Sequence, residues 1–184
     1  LQRWPDFVAR LRFVSANAST LQVASLVRGI GFENSGGQER LRTGWGLSMT
    51  GKLKINECND IRMGVAGGRG IGSYLTGLAG NLSAAGPDVD GFRTLDAIGA
   101  FGALHHRWTK RWQSNVYYGY SDVESTPLMP LTAGDAVHNG GINLIWSPRP
   151  GFGIGLEYDY GERQVRDGTS GENHRVQFAI EFGP

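Results

Sequence analysis

Five stretches of this chain alternate between large apolar residues and polar or very small ones. Phe7, Ala9, Leu11 and Phe13 alternate with Val8, Arg10 and Arg12. Trp45, Leu47, Met49, Gly51, Leu53 and Ile55 alternate with Gly46, Ser48, Thr50, Lys52 and Lys54. The same pattern runs through Ile61–Val65, Phe152–Tyr160 and Val176–Phe182. Successive side chains of a strand point to opposite faces, so a period of two describes strands between two unlike environments. A helix would repeat every three to four residues, and that repeat is hard to find here. Weaker alternation places further strands near 20–30, 95–108, 112–122 and 135–147, which makes nine, each about ten residues long. In the 95–108 strand the outward set is left open. It is either Ile98, Ala100, Leu104 and Trp108, or Ala97, Phe101 and Ala103.

The connections between these strands alternate in length. Residues 14–19, 56–59, 109–111 and 147–151 make short links. Residues 31–42, 67–93, 123–134 and 164–172 make longer ones. An up-and-down antiparallel sheet sends alternate connections to opposite ends, so one end carries tight turns and the other carries loops. Membrane barrels sort their connections in this way, with short periplasmic turns and longer external loops. A soluble meander has no reason to do so.

Composition agrees with a folded β chain. Glycine and proline supply 29 and 7 of the 184 residues, against 40% apolar and 19% charged residues. That is too apolar for a disordered chain, and the glycines lack the period of three of collagen. No apolar run approaches the ~18 residues of a spanning helix. One cysteine, Cys58, excludes a disulfide framework and a cysteine-based zinc site. The net charge of +1 conceals an asymmetry. Residues 1–75 hold ten Lys/Arg against five Asp/Glu, and residues 76–184 hold eight against twelve. Without a dense basic run this does not point to nucleic acid; a cationic stripe for small anions fits it equally well.

Alternation alone does not say which face meets water. Three features favour lipid on the apolar side. The polar face carries many glycines, the loops alternate, and the chain closes on an apolar-alternating strand with Phe182. Aromatics also gather at strand ends, among them Trp4, Trp45, Trp108, Trp112, Tyr120, Trp146, Phe152 and Tyr160. Such rings prefer the headgroup zone of a bilayer. The fold class expected is therefore all-β, an antiparallel up-and-down transmembrane β-barrel with about nine strands visible over residues 1–184.

The carboxyl half carries a recognisable series of words. Asn143-Leu144-Ile145-Trp146-Ser147-Pro148 is followed by Gly155-Leu156-Glu157-Tyr158 and Gly161-Glu162-Arg163. Asp167-Gly168 then leads to Asn173-His174-Arg175-Val176-Gln177-Phe178, and Arg3-Trp4-Pro5-Asp6 stands near the start. In order and spacing these resemble the DcaP-like porins of Gram-negative outer membranes, most closely over residues 115–182. The resemblance implies a sixteen-stranded homotrimeric diffusion channel in outer-membrane lipid, favouring small anionic solutes such as dicarboxylates, with no cofactor. Nine strands would be the carboxyl-terminal part of such a barrel. About seven would then precede Leu1, since bacterial barrels have even strand numbers and lipid does not tolerate open sheet edges. The ending Phe182-Gly183-Pro184, rather than the aromatic itself, departs from the pattern.

The leading functional feature is a basic stripe. Arg10 and Arg12 share a face of the first strand, and Arg28, Lys52, Lys54 and Arg62 occupy the polar faces of the next three. Arg/Lys rows on a pore wall favour anions, and guanidinium holds a carboxylate by two parallel hydrogen bonds. Against this stands simple solvation of a wet lumen, with the stripe paired to Glu157, Asp159 and Glu181. The long segment 67–93 offers a second set. Arg69 and Arg93 at its ends, with Asp88 and Asp90 within it, line an eyelet if the segment folds inward. If it does not, it is an external loop around Tyr74, Leu75, Leu78 and Leu82.

Catalytic and metal signals are weak. His105 and His106 are adjacent and point to opposite faces of a strand, which is poor geometry for one metal. The glycine-rich words sit at strand ends, not before helices, and no Gly-x-Ser-x-Gly elbow occurs. Two competing readings remain. One is a lipid-acting barrel enzyme using His105 or His106 with Ser114 or Ser121. The other is a soluble β-barrel that binds small apolar ligands inside.

Overall fold

The computed structural model describes residues 4–33, 39–75, 84–89 and 91–183. Arg3, Leu78, Leu82, Asp90 and Pro184, named above, lie outside the described residues. Nine strands form one antiparallel sheet in chain order: β1 (Phe7–Val14), β2 (Thr20–Glu33), β3 (Glu39–Lys54), β4 (Asn59–Arg69), β7 (Asp96–Arg107), β8 (Trp112–Val123), β9 (Gly134–Arg149), β10 (Phe152–Val165) and β11 (Ser170–Phe182). Between β4 and β7 stand a short 3-10 turn (Gly72–Tyr74) and a separate hairpin of β5 (Ala85–Asp88) and β6 (Gly91–Thr94). The strands run to sixteen residues, longer than the alternation alone defined. Among the described residues β1 and β11 are the edges of the sheet.

The alternation survives as two faces. Leu21, Val23, Leu47, Met49, Leu53, Met63, Val65, Val116, Ile142, Leu144, Leu156, Val176 and Phe178 lie on one face, each about two-fifths or more exposed. Register joins them into rows, such as Leu53–Ile61–Leu104–Val116–Ile142–Tyr158–Val176. The same register settles β7. Ala100 pairs with Val65, and Leu104 with Ile61 and Val116. Ile98, Ala100 and Leu104 therefore belong to the apolar face, and Ala97, Phe101 and Ala103 to the polar one. A sheet with this much exposed aliphatic surface on one continuous face is built to be covered by something apolar.

Aromatics border that face at two levels. Trp112 pairs with Trp146, with ring centroids 6.0 Å apart, and Phe152 with Phe182 at 5.2 Å. Eight residues up β8, Tyr120 lies 4.8 Å from the His138 ring, and Tyr118 hydrogen-bonds His138 Nδ1 at 2.6 Å. Eight residues of strand span about 27 Å along their own axis, the scale of a hydrocarbon layer crossed by tilted strands.

The turns at the tryptophan end are tight and pinned by their own side chains. Asn56 Oδ1 accepts from the backbone N–H groups of Cys58 and Asn59, both at 2.9 Å, and Thr109 Oγ1 accepts from those of Arg111 and Trp112, both at 3.1 Å. Asx- and ST-type turns of this kind reverse the chain in few residues. At Gly151, in the two-residue link between β9 and β10, φ is +72°, which glycine adopts without a steric penalty.

The small buried core lies on the polar face, toward the loop end. Ile71, Leu75, Leu95, Ala97, Val123 and Met129 form it, with Leu26, Ala66 and Val137 packed against them. The start of the long β4–β7 connection thus folds back onto the sheet. Glycines make the room: a Cβ at Gly46 would meet Ile71 at 2.8 Å, and one at Gly99 would meet Leu75 at 3.1 Å. This accounts for part of the glycine content of the polar face.

Candidate functional site

Lys52 and Arg62 are direct partners across β3 and β4, and Lys54 pairs with Asp60 in the same ladder. Asp60 and Arg62 are two apart on one strand, so both side chains rise from the polar face. Asp60, 7% exposed, becomes the centre of a cationic group. Arg62 Nε donates to its Oδ1 at 3.0 Å, Lys52 Nζ stands 3.6 Å from Oδ2, and His105 Nδ1 stands 3.1 Å from Oδ2. Lys54 is bound to Glu57 in the adjacent turn at 2.7 Å, and that contact holds the exposed Glu57 carboxyl below its ordinary range. Arg10 and Arg12 on β1 have no side-chain partner among the described residues.

Arg28 is engaged differently. Its guanidinium donates to Ser73 Oγ at 2.9 Å and to the Gly70 carbonyl at 3.4 Å, lies 3.7 Å from Asp6, and sits 5.0 Å from the centre of the Tyr74 ring. Tyr74 also hydrogen-bonds Asp6. Arg28 therefore fastens the folded-back 70–75 segment to the sheet.

One residue of the expected pore lining, Arg69, is on the other face of the sheet. Arg69 pairs with Trp45 and Asp96 in the ladder, shares the face of Val65, and forms a 2.9 Å ion pair with Asp96. It stands on the apolar side at the loop end, not over the lumen. Carrying the alternation of Met63 and Val65 four residues on would have shown this. Arg93 lies in β6, 2.7 Å from Glu124 and 3.6 Å from Asp88, and joins the hairpin to the β8–β9 loop. Thr126 from that loop donates to the Pro87 carbonyl. The described start of the segment packs onto the polar face through Ile71 and Leu75.

The carboxyl-side wall is built from amides, phenols and paired charge. Asn115 Nδ2 donates to Asn143 Oδ1 at 2.8 Å, and Asn143 Nδ2 donates to Glu157 Oε2 at 3.0 Å. Asp159 accepts from Arg175 at 2.7 Å and from the Tyr117 hydroxyl. Tyr117 reaches Asp159 by crossing Gly141, where a Cβ would sit 2.5 Å from its oxygen. The acids at Glu157 and Asp159 are thus satisfied within their own wall. The acid that serves the basic stripe is Asp60, which sequence reasoning passed over; the Asp-x-Arg spacing on a strand was its signal.

The serine and histidine residues weighed for catalysis do not assemble. Ser114 Oγ accepts from Trp108 Nε1 at 2.9 Å, and His106 Nδ1 bonds Asn59 Oδ1 at 2.7 Å, both on the apolar face. His105 turns to the other face, against Asp60 and Gln113. Among the described residues no group of three or more His, Cys, Asp or Glu is placed to hold a metal.

A sheet apolar and aromatic-bordered on one side, wet and charged on the other, and strung on alternating turns and loops is the wall of an outer-membrane barrel. Comparison with solved structures agrees. The outer membrane channel DcaP of Acinetobacter baumannii superposes with a TM-score of 0.86 at 19% identity, over 99% of this chain and 52% of that one. The NanC porin superposes with a TM-score of 0.53 at 11% identity, over 97% of this chain and 93% of that one. This chain therefore spans about half the length of DcaP and has the fold of that portion of its barrel. At these identities the likeness is one of fold. No protein-family profile and no curated protein sequence matches the chain. The neighbours are channels, and the expectations of a DcaP-like resemblance, an all-β barrel wall and an outer-membrane setting agree with them.

Proposed function

We propose that this protein is a passive diffusion channel of the Gram-negative outer membrane that favours small anions over cations. The observation that carries the reading is the imbalance on the amino-side polar face. Arg10 and Arg12 are unpaired among the described residues, and Lys52 and Arg62 share the single carboxylate of Asp60 with His105. Fixed positive charge on a low-dielectric wall raises the local concentration of anions and lowers their barrier to passage. Guanidinium pairs at Arg10 and Arg12 would hold a carboxylate briefly without trapping it. Dicarboxylates are the solute class that best matches several cations spaced along one wall. We also propose assembly as a homotrimer, as the sequence resemblance implies, and chemical cross-linking in detergent tests it.

The selectivity is tested by reversal potential in a planar bilayer under a KCl gradient. Chloride preference that is abolished or inverted in Arg10→Glu/Arg12→Glu supports both the channel and the stripe. Cation preference in the unaltered protein discards the stripe and keeps the channel. A folded, heat-modifiable protein without conductance refutes the channel.

A further inference from the structure

Above the basic stripe the polar face contains a hollow of about 450 Å³ with no charged residue in its lining. A volume of this size is in the range that holds one small molecule. Its floor crosses Gly64, Gly99 and Gly119 on three adjacent strands. Phe101 lies over this floor. A Cβ at Gly64 would sit 2.5 Å from its ring, so the ring occupies the space a side chain would have taken, and about half of the residue is left exposed. Leu75 closes one side, over Gly99, as part of the folded-back segment. Ser48, Thr50, Ser121 and Asn139 supply hydroxyls and an amide. Among the described residues none of these four side chains has a hydrogen-bond partner within the protein.

The hollow thus combines a half-exposed aromatic ring, unpartnered neutral donors and acceptors around it, and no charged side chain. A carboxylate or an ammonium would find no counter-charge here. A flat apolar ligand would leave the hydroxyls and the amide unpaired, which costs affinity when water is displaced. A sugar ring meets both demands, with an apolar C–H face for the ring and equatorial hydroxyls for the rim. We propose that this hollow is a binding subsite for a neutral pyranose, stacked on Phe101 and hydrogen-bonded by Thr50, Ser121 and Asn139. The proposal rests on the reading of this face as a channel lumen. Within a channel such a site slows a sugar without stopping it, because conduction requires binding weak enough for release.

The test measures ion current through the reconstituted protein while methyl α-glucopyranoside is added, with sorbitol as an open-chain polyol of similar polarity. The expected result is a saturable reduction of current by the glucoside and none by sorbitol beyond its effect on viscosity. Phe101→Ala and Phe101→Leu raise the half-blocking concentration by about ten-fold, the equivalent of one aromatic stacking contact. Phe101→Tyr keeps the ring face and keeps the block. Equal block by sorbitol, or block unchanged in Phe101→Leu, overturns the site while leaving the channel intact. Absence of current refutes the channel instead. The site is then decided by saturation-transfer NMR of the micellar protein. Transfer to the ring protons of the glucoside, lost in Phe101→Leu, supports it, and no transfer to the unaltered protein overturns it.

Discussion

The amino-side wall, β1 to β4, and the carboxyl-side wall, β8 to β11, are made of the same alternating strands but handle charge in opposite ways. On the first, cations outnumber their partners: Lys52 and Arg62 share Asp60, and Arg10 and Arg12 have none among the described residues. On the second, Glu157 and Asp159 are each bound within the wall, to Asn143, Arg175 and Tyr117. Net charge by segment therefore understates the contrast. On the proposed channel reading, what matters to a passing ion is charge that is not already compensated. By that measure the first wall is positive and the second acidic, because the neutral Asn143 amide leaves the charge of Glu157 in place and Glu181 has no partner among the described residues. In the proposed channel a field across the lumen would follow, and anions are expected to track its positive side.

The comparison is broken most strongly by inverting the first wall. Lys52→Glu/Arg62→Glu leaves Asp60 among like charges and is expected to lower the chloride-to-potassium permeability ratio by about ten-fold, read from reversal potential. It is sharpened by Asp60→Asn, which frees Lys52 and Arg62. The permeability ratio should rise by about two-fold while the heat-modification midpoint on gels falls, because Lys52 and Arg62 then face each other with no carboxylate between them. On the second wall Arg175→Gln exposes Asp159. Anion preference should fall by less than two-fold, since the Tyr117 hydroxyl still binds that carboxylate. The smallest effect is expected at Glu57→Gln in the turn beside Lys54. The folded pKa of Glu57 is lowered, so its pairing adds stability above the unfolded carboxylate value and loses it as pH falls through the folded one. The variant should match the unaltered protein in acid and differ from it only slightly near neutrality, in a pH series of heat-modification midpoints.

The strands were legible because each has one face that must be apolar, and a period of two reports that directly. Legibility failed where the period is interrupted. The β5–β6 hairpin has four residues a side, Ala-Gly-Pro-Asp and Gly-Phe-Arg-Thr, too few for alternation to register. Arg69 was misplaced because Gly67 and Gly68 read as the start of a loop, whereas the ladder continues through them to Asp96. The basic stripe was visible strand by strand, since Arg10, Arg12, Lys52, Lys54 and Arg62 fall on polar positions. Its compensation was not, because Asp60 meets Lys52 and His105 only through register across three strands. The hollow at Phe101 was out of reach for the same reason. Its floor joins glycines from three neighbouring strands that no single stretch of sequence contains.

Those glycines have one more consequence. At Gly64, Gly119 and Gly141 the surface of the polar face is set by side chains that lie across a neighbour, Phe101, Asn139 and Tyr117, rather than by the course of the backbone. Exchanging one of these three for a smaller or larger residue would change the width of the passage at one height while leaving every strand pairing as it is. The calibre of this barrel is therefore a property that single substitutions can revise, independently of the architecture that carries it.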